Sequence, residues 1–135
     1  MTFETYASSL ETDSMILERM VQLFGAASGR QFSLVFLDSR QRQCPTIVPV
    51  DGIPDTPDPA DADRFAPVMD WLADGEGGSS VIIVLERPGS RILHDHDRSW
   101  IRTLRRCAAI AELPVRAQLL VHDDGVRWLA PDDYL

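Results

Sequence analysis

The stretch VIIVLERPGSRILHDHDRSW (residues 81–100) determines how the rest of the chain is interpreted. It begins with a continuous apolar run at 81–85, which is typical of a strand that is buried on both faces of a sheet. A Pro-Gly pair then predicts a turn, and the polar cluster HDHD (94–97) precedes a segment with helical periodicity at 98–112. The stretch therefore predicts a strand, a loop and a helix, with the ionisable side chains of the loop between the two elements.

The segments on either side of this unit predict the rest of a sheet and its helices. Apolar residues at helical spacing, and short apolar runs bounded by turn residues, identify the elements. Helices are expected at 14–27, 61–73 and 98–112, and strands at 32–38, 44–50, 81–85, 115–122 and 126–130. Two prolines in the second strand indicate an edge or bulged strand. The order is typical of an α/β (α+β) domain in which a mixed β-sheet is flanked by about three helices.

Length and composition limit the class of protein. The 135 residues favour a single domain that spans 1–135. No apolar run approaches the roughly 20 residues that a membrane helix needs, and residues 1–14 have neither a basic residue nor the apolar core of a signal peptide. Cys44 and Cys107 form no metal-binding spacing and are expected to be buried, reduced thiols. We therefore expect a cytoplasmic protein that does not interact with membranes.

Charge is large and unevenly distributed along the chain. The net charge of −8 argues against general nucleic-acid binding. All thirteen basic residues are arginine, which excludes a Schiff-base lysine and a P-loop lysine. Residues 51–76 hold eight acids and one arginine, whereas residues 87–106 hold six arginines and two acids. These opposed segments predict self-association, as in a homodimer, or an oppositely charged protein partner.

The HDHD cluster offers a candidate metal site. Imidazole and carboxylate groups bind zinc and manganese, and alternate residues point to one side when a segment is extended. The candidate ligands are His94, His96 and Asp97, with His122 and Asp123 as reserves. The alternative is structural: Asp97 or Ser99 caps the helix that follows, and the two histidines are solvated. The sequence leaves both interpretations open.

The arginines that follow the loop offer a candidate anion site. Arg98, Arg102 and Arg105 recur at a spacing that places them on one face of a helix. Guanidinium groups recognise phosphate and carboxylate. The candidate binding residues are therefore Arg87, Arg91, Arg98 and Arg102. The alternative is a solvated outer face of the helix.

The order of these features resembles the RadC-like branch of the JAB/MPN (JAMM) metalloprotease fold, a cytidine-deaminase-like sandwich. In that family an apolar strand leads into His-x-His-Pro-Ser-Gly, and Ser-x-x-Asp then opens a helix. Here VIIVLERPGS (81–90) resembles the strand and the small residues, and Asp97 falls on the helix-opening acid if the loop is one residue shorter. FSLVFLDSRQRQ (32–43) resembles the first strand and turn of the family, and LPVRAQLLVHDDG (113–125) resembles its closing strand and hairpin. The resemblance implies a core at about 30–129, preceded by an N-terminal helical segment at 1–29.

The sequence departs from the family at the residues that carry its chemistry. The two family histidines fall on Leu85 and Arg87, and the catalytic glutamate of the family falls on Arg30 or Gln31. The remaining carboxylate, Asp97, cannot by itself hold a catalytic zinc ion, which normally takes three protein ligands. An arginine beside it would also repel a divalent cation. The resemblance therefore implies the fold without a metal cofactor and without the hydrolysis that the family performs.

Three hypotheses about function follow from these observations. The leading hypothesis is a non-catalytic JAB/MPN-like domain that acts as a protein-interaction or binding module. The first alternative is a divalent-metal-dependent hydrolase that holds zinc or manganese with His94, His96 and Asp97. The second alternative is a small-anion-binding protein.

Overall fold

Five strands form one mixed sheet that has helices on both faces. The structure, a computed structural model, describes residues 9–135. The helices are α1 (Asp13–Phe24), α2 (Asp61–Glu76) and α3 (Asp95–Ile110), and the strands are β1 (Gln31–Leu37), β2 (Gln43–Asp51), β3 (Ser80–Glu86), β4 (Val115–His122) and β5 (Gly125–Trp128). A 3-10 turn, Pro131–Asp133, follows β5. The expected α/β (α+β) class is confirmed, while residues 1–8 of the expected N-terminal segment lie outside the described residues.

The strand order brings the ends of several strands and of one helix to the same edge of the sheet. The order is β2-β1-β3-β4-β5, with β3 and β4 parallel. β1 runs antiparallel to both of its neighbours, and β5 runs antiparallel to β4. The parallel pair needs a crossover connection, which α3 provides. The carboxyl ends of β3 and β4 therefore lie at the same edge as the amino ends of β1 and α3.

Side-chain alternation along the strands produces two cores. On one face of β3, Leu85 packs in a cluster that includes Met69 of α2 and Trp100 of α3. On the other face, Val84 packs in a cluster that includes Ile16 of α1. Burial on both faces explains why this strand is continuously apolar in the sequence. The β2 strand lies at an edge of the sheet, as its prolines predict.

The third helix begins earlier than the sequence predicts. It was expected at residue 98, but it begins at Asp95. The reason is the Asp97 carboxylate, which accepts a hydrogen bond from the backbone N–H of His94 at 2.9 Å. This contact satisfies one of the free donors at the start of the helix. The segment 95–97, which was expected to belong to the loop, is therefore the first turn of the helix.

The second helix ends later than the sequence predicts. It was expected to end at residue 73, but it continues to Glu76. It ends where Gly77 adopts a left-handed φ of 70° and its N–H bonds back to the carbonyls of Ala73 and Asp74. A glycine in this conformation is a common helix terminator because it has no Cβ to clash.

Both cysteines are buried and free, as expected from their positions in the sequence. Burial raises the pKa of the Cys107 thiol to about 11. Burial, followed by the negative charges of Glu76 and Asp38, raises the pKa of Cys44. Both thiols therefore remain protonated at neutral pH, and their chemistry is that of small apolar side chains.

Candidate functional site at the carboxyl end of β3

The loop after β3 is built around a buried ion pair between Arg87 and Asp97. The Arg87 Nη2 atom lies 3.0 Å from Asp97 Oδ2, and Nε lies 3.1 and 3.2 Å from the two carboxylate oxygens. The side chains are 1% and 0% exposed. Contact of both oxygens with the planar guanidinium is the strong geometry for an arginine–carboxylate pair. At this depth neither group can contact a dissolved ligand unless the loop opens.

Arg87 also organises the backbone of the loop. Its Nη1 donates to the carbonyls of Pro88 and Ser90, and its Nη2 donates to the carbonyl of Ile92 at 2.8 Å. Gly89 has a φ of 108°, a conformation that side-chain-bearing residues rarely adopt. A Cβ at Gly89 would lie 3.4 Å from Nη1 of Arg87. The Pro-Gly turn and the arginine thus form one structural unit in which all three guanidinium nitrogens are bonded within the chain.

Asp97 connects this unit to the start of α3. Its Oδ2 accepts the N–H of His94, so one carboxylate both caps the helix and neutralises Arg87. Burial alone would raise the pKa of Asp97. Hydrogen bonds from Arg87 and from the His94 N–H, together with the charge of Arg87, instead hold that pKa below its ordinary value. The carboxylate is therefore ionised at neutral pH, and one of the two sequence interpretations, capping by Asp97, matches the structure.

The two histidines do not converge on this carboxylate. The rings of His94 and His96 are stacked, with centroids 5.4 Å apart and planes 3° apart. Because an imidazole nitrogen binds a metal in the plane of its ring, stacked parallel rings do not aim at one ion. His96 Nε2 lies 3.8 Å from Asp97 Oδ1, an oxygen that already accepts a hydrogen bond from Arg87. Within residues 9–135, no three His, Cys, Asp or Glu side chains are grouped so that they could hold a metal ion.

The extended conformation that the metal interpretation of HDHD requires is not observed. Residues Asp95–Asp97 form the first turn of α3. Successive side chains in a helix rotate by about 100° instead of the 180° of a strand. His94 and His96 therefore do not have the strand-like relationship on which the metal hypothesis depended.

Of the two reserve ligands, His122 is the last residue of β4 and Asp123 lies in the turn between β4 and β5. The Nδ1 atom of His122 accepts the backbone N–H of Asp124 at 3.2 Å. The backbone N–H of Asp123 donates to the carbonyl of Gly89 at 3.0 Å. These contacts hold the β4–β5 turn against the Pro-Gly turn, so both residues serve the packing of this edge.

A second buried carboxylate lies at the end of β3, and the sequence reasoning missed it. Glu86 is 3% exposed. It accepts hydrogen bonds from the backbone N–H and the hydroxyl of Ser28, at 2.8 and 2.9 Å, and from Gln31 Nε2 at 3.1 Å. These three donors are neutral, and they tie the segment after α1 to the amino end of β1. The sequence does carry one signal for this site, which is a glutamate at the end of an apolar strand. Burial of a carboxylate at such a position costs free energy unless hydrogen-bond donors surround it.

The predicted arginine face of α3 binds the C-terminal segment of the same chain. Arg98 Nε donates to the carbonyl of Asp133 at 3.1 Å, and Arg102 Nε donates to the carbonyl of Tyr134. The guanidinium of Arg105 lies 5.0 Å from the centroid of the Tyr134 ring, within the range of a cation–π contact. The shared face that the spacing predicts is therefore present, and it is a docking surface for the segment after β5.

The candidate anion-binding arginines have different environments. Arg87 is buried, whereas Arg91 is exposed. The backbone carbonyl of Arg91 accepts a hydrogen bond from Arg127 Nη1 at 2.8 Å. Arg127 in turn pairs with Asp133 at 2.9 Å, which adds a further contact to the C-terminal segment. In this conformation Arg87 and Arg91 do not present one surface to a ligand.

Comparison with known proteins gives no family assignment. No protein-family model and no curated protein sequence matches the chain. None of the helices between residues 9 and 135 combines the length and the apolarity needed to cross a membrane. The site itself is a fully bonded ion pair that stabilises a loop, with its charges neutralised internally.

Proposed function

We propose that this chain is a non-catalytic JAB/MPN-like domain that acts as a protein-interaction module. The observation that supports the proposal most is the buried contact between Arg87 and Asp97. The resemblance assigns the position of Arg87 to a metal-binding histidine and that of Asp97 to a metal-binding acid. A guanidinium at the first position supplies a permanent positive charge to the carboxylate at the second. A divalent ion would therefore find the acid occupied and would meet a like charge.

The geometry of β3 supports the same proposal. Side chains two residues apart on a strand lie on the same face. Leu85 belongs to the core between the sheet and α3, and Arg87 contacts Asp97 at the start of α3. The two positions that the resemblance assigns to histidines thus face the helix that carries the remaining acid. The mixed sheet with three helices is compatible with the implied fold.

Interaction with a protein is the function we assign to a domain of this kind. The net charge of −8 disfavours general nucleic-acid binding. We also propose that the protein is cytoplasmic. The acidic segment 51–76 supports an oppositely charged protein partner through electrostatic complementarity. The arginines of α3 are bonded to the C-terminal segment, so they support a partner surface less than the acids do.

Metal content tests the non-catalytic assignment. Protein purified without a histidine tag is incubated with zinc and manganese and then desalted. Its metal content is measured by inductively coupled plasma mass spectrometry. We expect substoichiometric metal in the wild type and no change in the His94→Ala/His96→Ala variant. Stoichiometric metal that disappears in this double variant would overturn the proposal and establish the metal-dependent hydrolase alternative as the starting point.

A gain of metal binding tests the assigned positions. In the Leu85→His/Arg87→His variant the two histidines would face Asp97, so three ligands would be available for zinc. We expect this variant to bind zinc and to lose it when Asp97→Asn is added, with circular dichroism to show that both variants fold. Single Leu85→His protein is the control, because it retains the guanidinium at the site. A folded double-histidine variant without zinc would contradict the assignment of these positions.

A further inference from the structure

The outer face of α2 exposes apolar side chains that the described part of the chain does not cover. Trp71 is 73% exposed and Val68 is 48% exposed. Indole is among the most costly side chains to leave in water, and exposed aromatic residues are enriched where proteins bind partners. The exposed acids Asp70 and Asp74 flank the indole in the sequence. We call Val68, Trp71, Asp70 and Asp74 the acidic tryptophan face.

Grooves lie on both sides of this helix. One, of about 390 Å³, lies between α2 and α3 and is lined by residues that include Asp63, Asp70 and Ile110. The other, of about 260 Å³, lies between α2 and β2 and is lined by residues that include Val48 and Trp71. Each combines apolar surface with carboxylates, and neither is lined by a basic residue. A partner with apolar side chains and positive charge would complement both grooves.

The charges in the last turn of α2 are unfavourable for the helix itself. Residues 61–76 contain five acids and one arginine, and Arg64 already contacts Asp61 at 3.3 Å. Asp74 and Glu76 lie in the last turn, which contains no basic residue. Carboxylates at this end meet the negative pole of the helix dipole and destabilise the helix. Glu76 accepts a hydrogen bond from the backbone N–H of Thr46 at 3.2 Å, so it has a structural role. Local stability does not explain the exposed Asp74, whereas recognition of a cation does.

We propose that the acidic tryptophan face binds an arginine-containing, partly apolar segment of another protein. A guanidinium can stack on the indole of Trp71 while its N–H groups reach Asp70 or Asp74, and a lysine cannot make both planar contacts. Apolar side chains of the same segment fill the flanking grooves. This inference rests on the proposed interaction function and specifies the chemistry of the partner.

Charge favours a different protein over a second copy of this chain. Two copies would each carry a net charge of −8 and would repel at long range. Three arginines of α3 are engaged with residues of their own chain, two of them through carbonyls of the C-terminal segment. A basic segment of another protein meets the face without either difficulty.

A synthetic peptide of arginine and leucine, labelled with fluorescein, serves as the probe. Binding is measured by fluorescence anisotropy. Protection of Trp71 is measured by acrylamide quenching in a Trp128→Phe background, because Trp128 is half-buried, whereas the 1% exposed Trp100 contributes little. We expect the peptide to bind, to shield tryptophan from the quencher, and to bind less tightly as salt is added. A peptide with lysine in place of arginine should bind more weakly, and one with glutamate should not bind.

Matched variants distinguish binding at the acidic tryptophan face from nonspecific electrostatic attraction of the peptide to the acidic protein. Trp71→Ala should weaken binding by about threefold or more, which corresponds to loss of a cation–π contact. Asp70→Asn/Asp74→Asn should weaken it by about fivefold, as expected for two exposed ion pairs. The control is Asp123→Asn/Asp124→Asn, which removes the same charge from two exposed residues in the turn before β5. This control should change the affinity little.

Three outcomes of the peptide experiment would overturn the inference. These are failure of the arginine peptide to bind, unchanged affinity in Trp71→Ala, and equal weakening by the two pairs of Asp→Asn substitutions. Light scattering tests a second copy as the occupant: a wild-type dimer that becomes a monomer in Trp71→Ala would also overturn it. The peptide-binding results do not depend on metal content. The non-catalytic assignment can therefore stand when the peptide does not bind, and peptide binding can be observed even when the metal test contradicts the non-catalytic assignment.

Discussion

At the scale of a residue, the single side chain of Arg87 makes several structural contacts at once. It neutralises one buried carboxylate and holds three carbonyls of the following loop. Burial removes the competition from water at the contact with Asp97, so this contact is stronger than it would be on the surface. Loss of the arginine would leave the carboxylate without its charged partner. Lysine could supply the charge, but it has no planar fork for the carboxylate and the carbonyls together.

A double-mutant cycle measures the coupling between the two buried charges. Either Arg87→Met or Asp97→Leu leaves one uncompensated buried charge, and we expect each to lower the free energy of unfolding by about 3–5 kcal/mol. The double variant should cost clearly less than the sum of the two, because it removes both charges. Urea denaturation at neutral pH provides the measurement. Additive effects within about 0.5 kcal/mol would contradict a coupled pair.

The pH dependence of the Arg87→Met variant tests the ionisation of Asp97. The lowered pKa of Asp97 in the folded wild type means that its contribution to stability is present above about pH 4 and is lost as the pH falls through the folded pKa. Without the guanidinium, burial raises that pKa, so the ionised carboxylate destabilises the fold as the pH rises. The difference in stability between wild type and variant should therefore be largest near neutral pH and should narrow toward pH 4. Thermal unfolding across this range checks the prediction.

The matched control for this experiment is Arg106→Met, a substitution at an exposed arginine of α3. Its stability difference from the wild type should stay small and should vary little with pH. A pH-independent difference for Arg87→Met would show that the variant loses loop contacts alone and that the charge of Asp97 is not what the guanidinium compensates.

At the scale of an element, the C-terminal segment is the part whose position is set by long-range contacts. Tyr134 is 6% exposed and belongs to the core between the sheet and α3. Its carbonyl and ring are held by Arg102 and Arg105. The arginine spacing was visible in the sequence, but its partner lies 32 residues further along the chain. Helical periodicity identifies a face and carries no information about a distant segment that covers it.

Removing the Tyr134 side chain should release the segment. We expect Tyr134→Ala to lower the free energy of unfolding by about 3–5 kcal/mol, as for other large-to-small changes at buried aromatic residues. Hydrogen exchange at the backbone of Pro131–Asp133 and its neighbours should also become faster. Leu135→Ala is the control, since Leu135 is 85% exposed and its loss should change stability by no more than about 0.5 kcal/mol. Equal effects of the two substitutions would contradict the docking role of the tyrosine.

Whether a segment is a helix or a strand was predictable from the sequence where its local signals agree. The contacts of the candidate site were not predictable in this way. The apolar run of β3, the Asp-Gly turn before β5 and the spacing of α2 each specify an element without reference to the rest of the chain. The start of α3 was misplaced because it depends on a carboxylate that bonds a backbone three residues earlier. The pairing of Arg87 with Asp97 was missed because it requires the strand and the helix to be in contact first.

At the scale of the whole molecule, positive and negative charges are used differently. Arg87, Arg98 and Arg102 bond to groups within the chain, while Asp70 and Asp74 are exposed on α2. The carboxylates of Asp70 and Asp74 are therefore accessible to a partner, whereas these three guanidinium groups are engaged within the chain. The two opposed segments seen in the sequence are thus not equivalent, because several arginines of 87–106 bind groups of their own chain while Asp70 and Asp74 of 51–76 are exposed.

The guanidinium of Arg87 is covalently part of the polypeptide, and this has a consequence for how the molecule withstands its surroundings. An inorganic ion can be stripped by a chelating agent or withheld when trace elements are scarce, whereas an arginine is present in every copy from the moment of synthesis. The edge of the sheet beside Asp97 should therefore be equally intact in EDTA and in zinc-supplemented buffer. Under the proposed non-catalytic assignment, this single side chain makes the fold independent of trace-element supply.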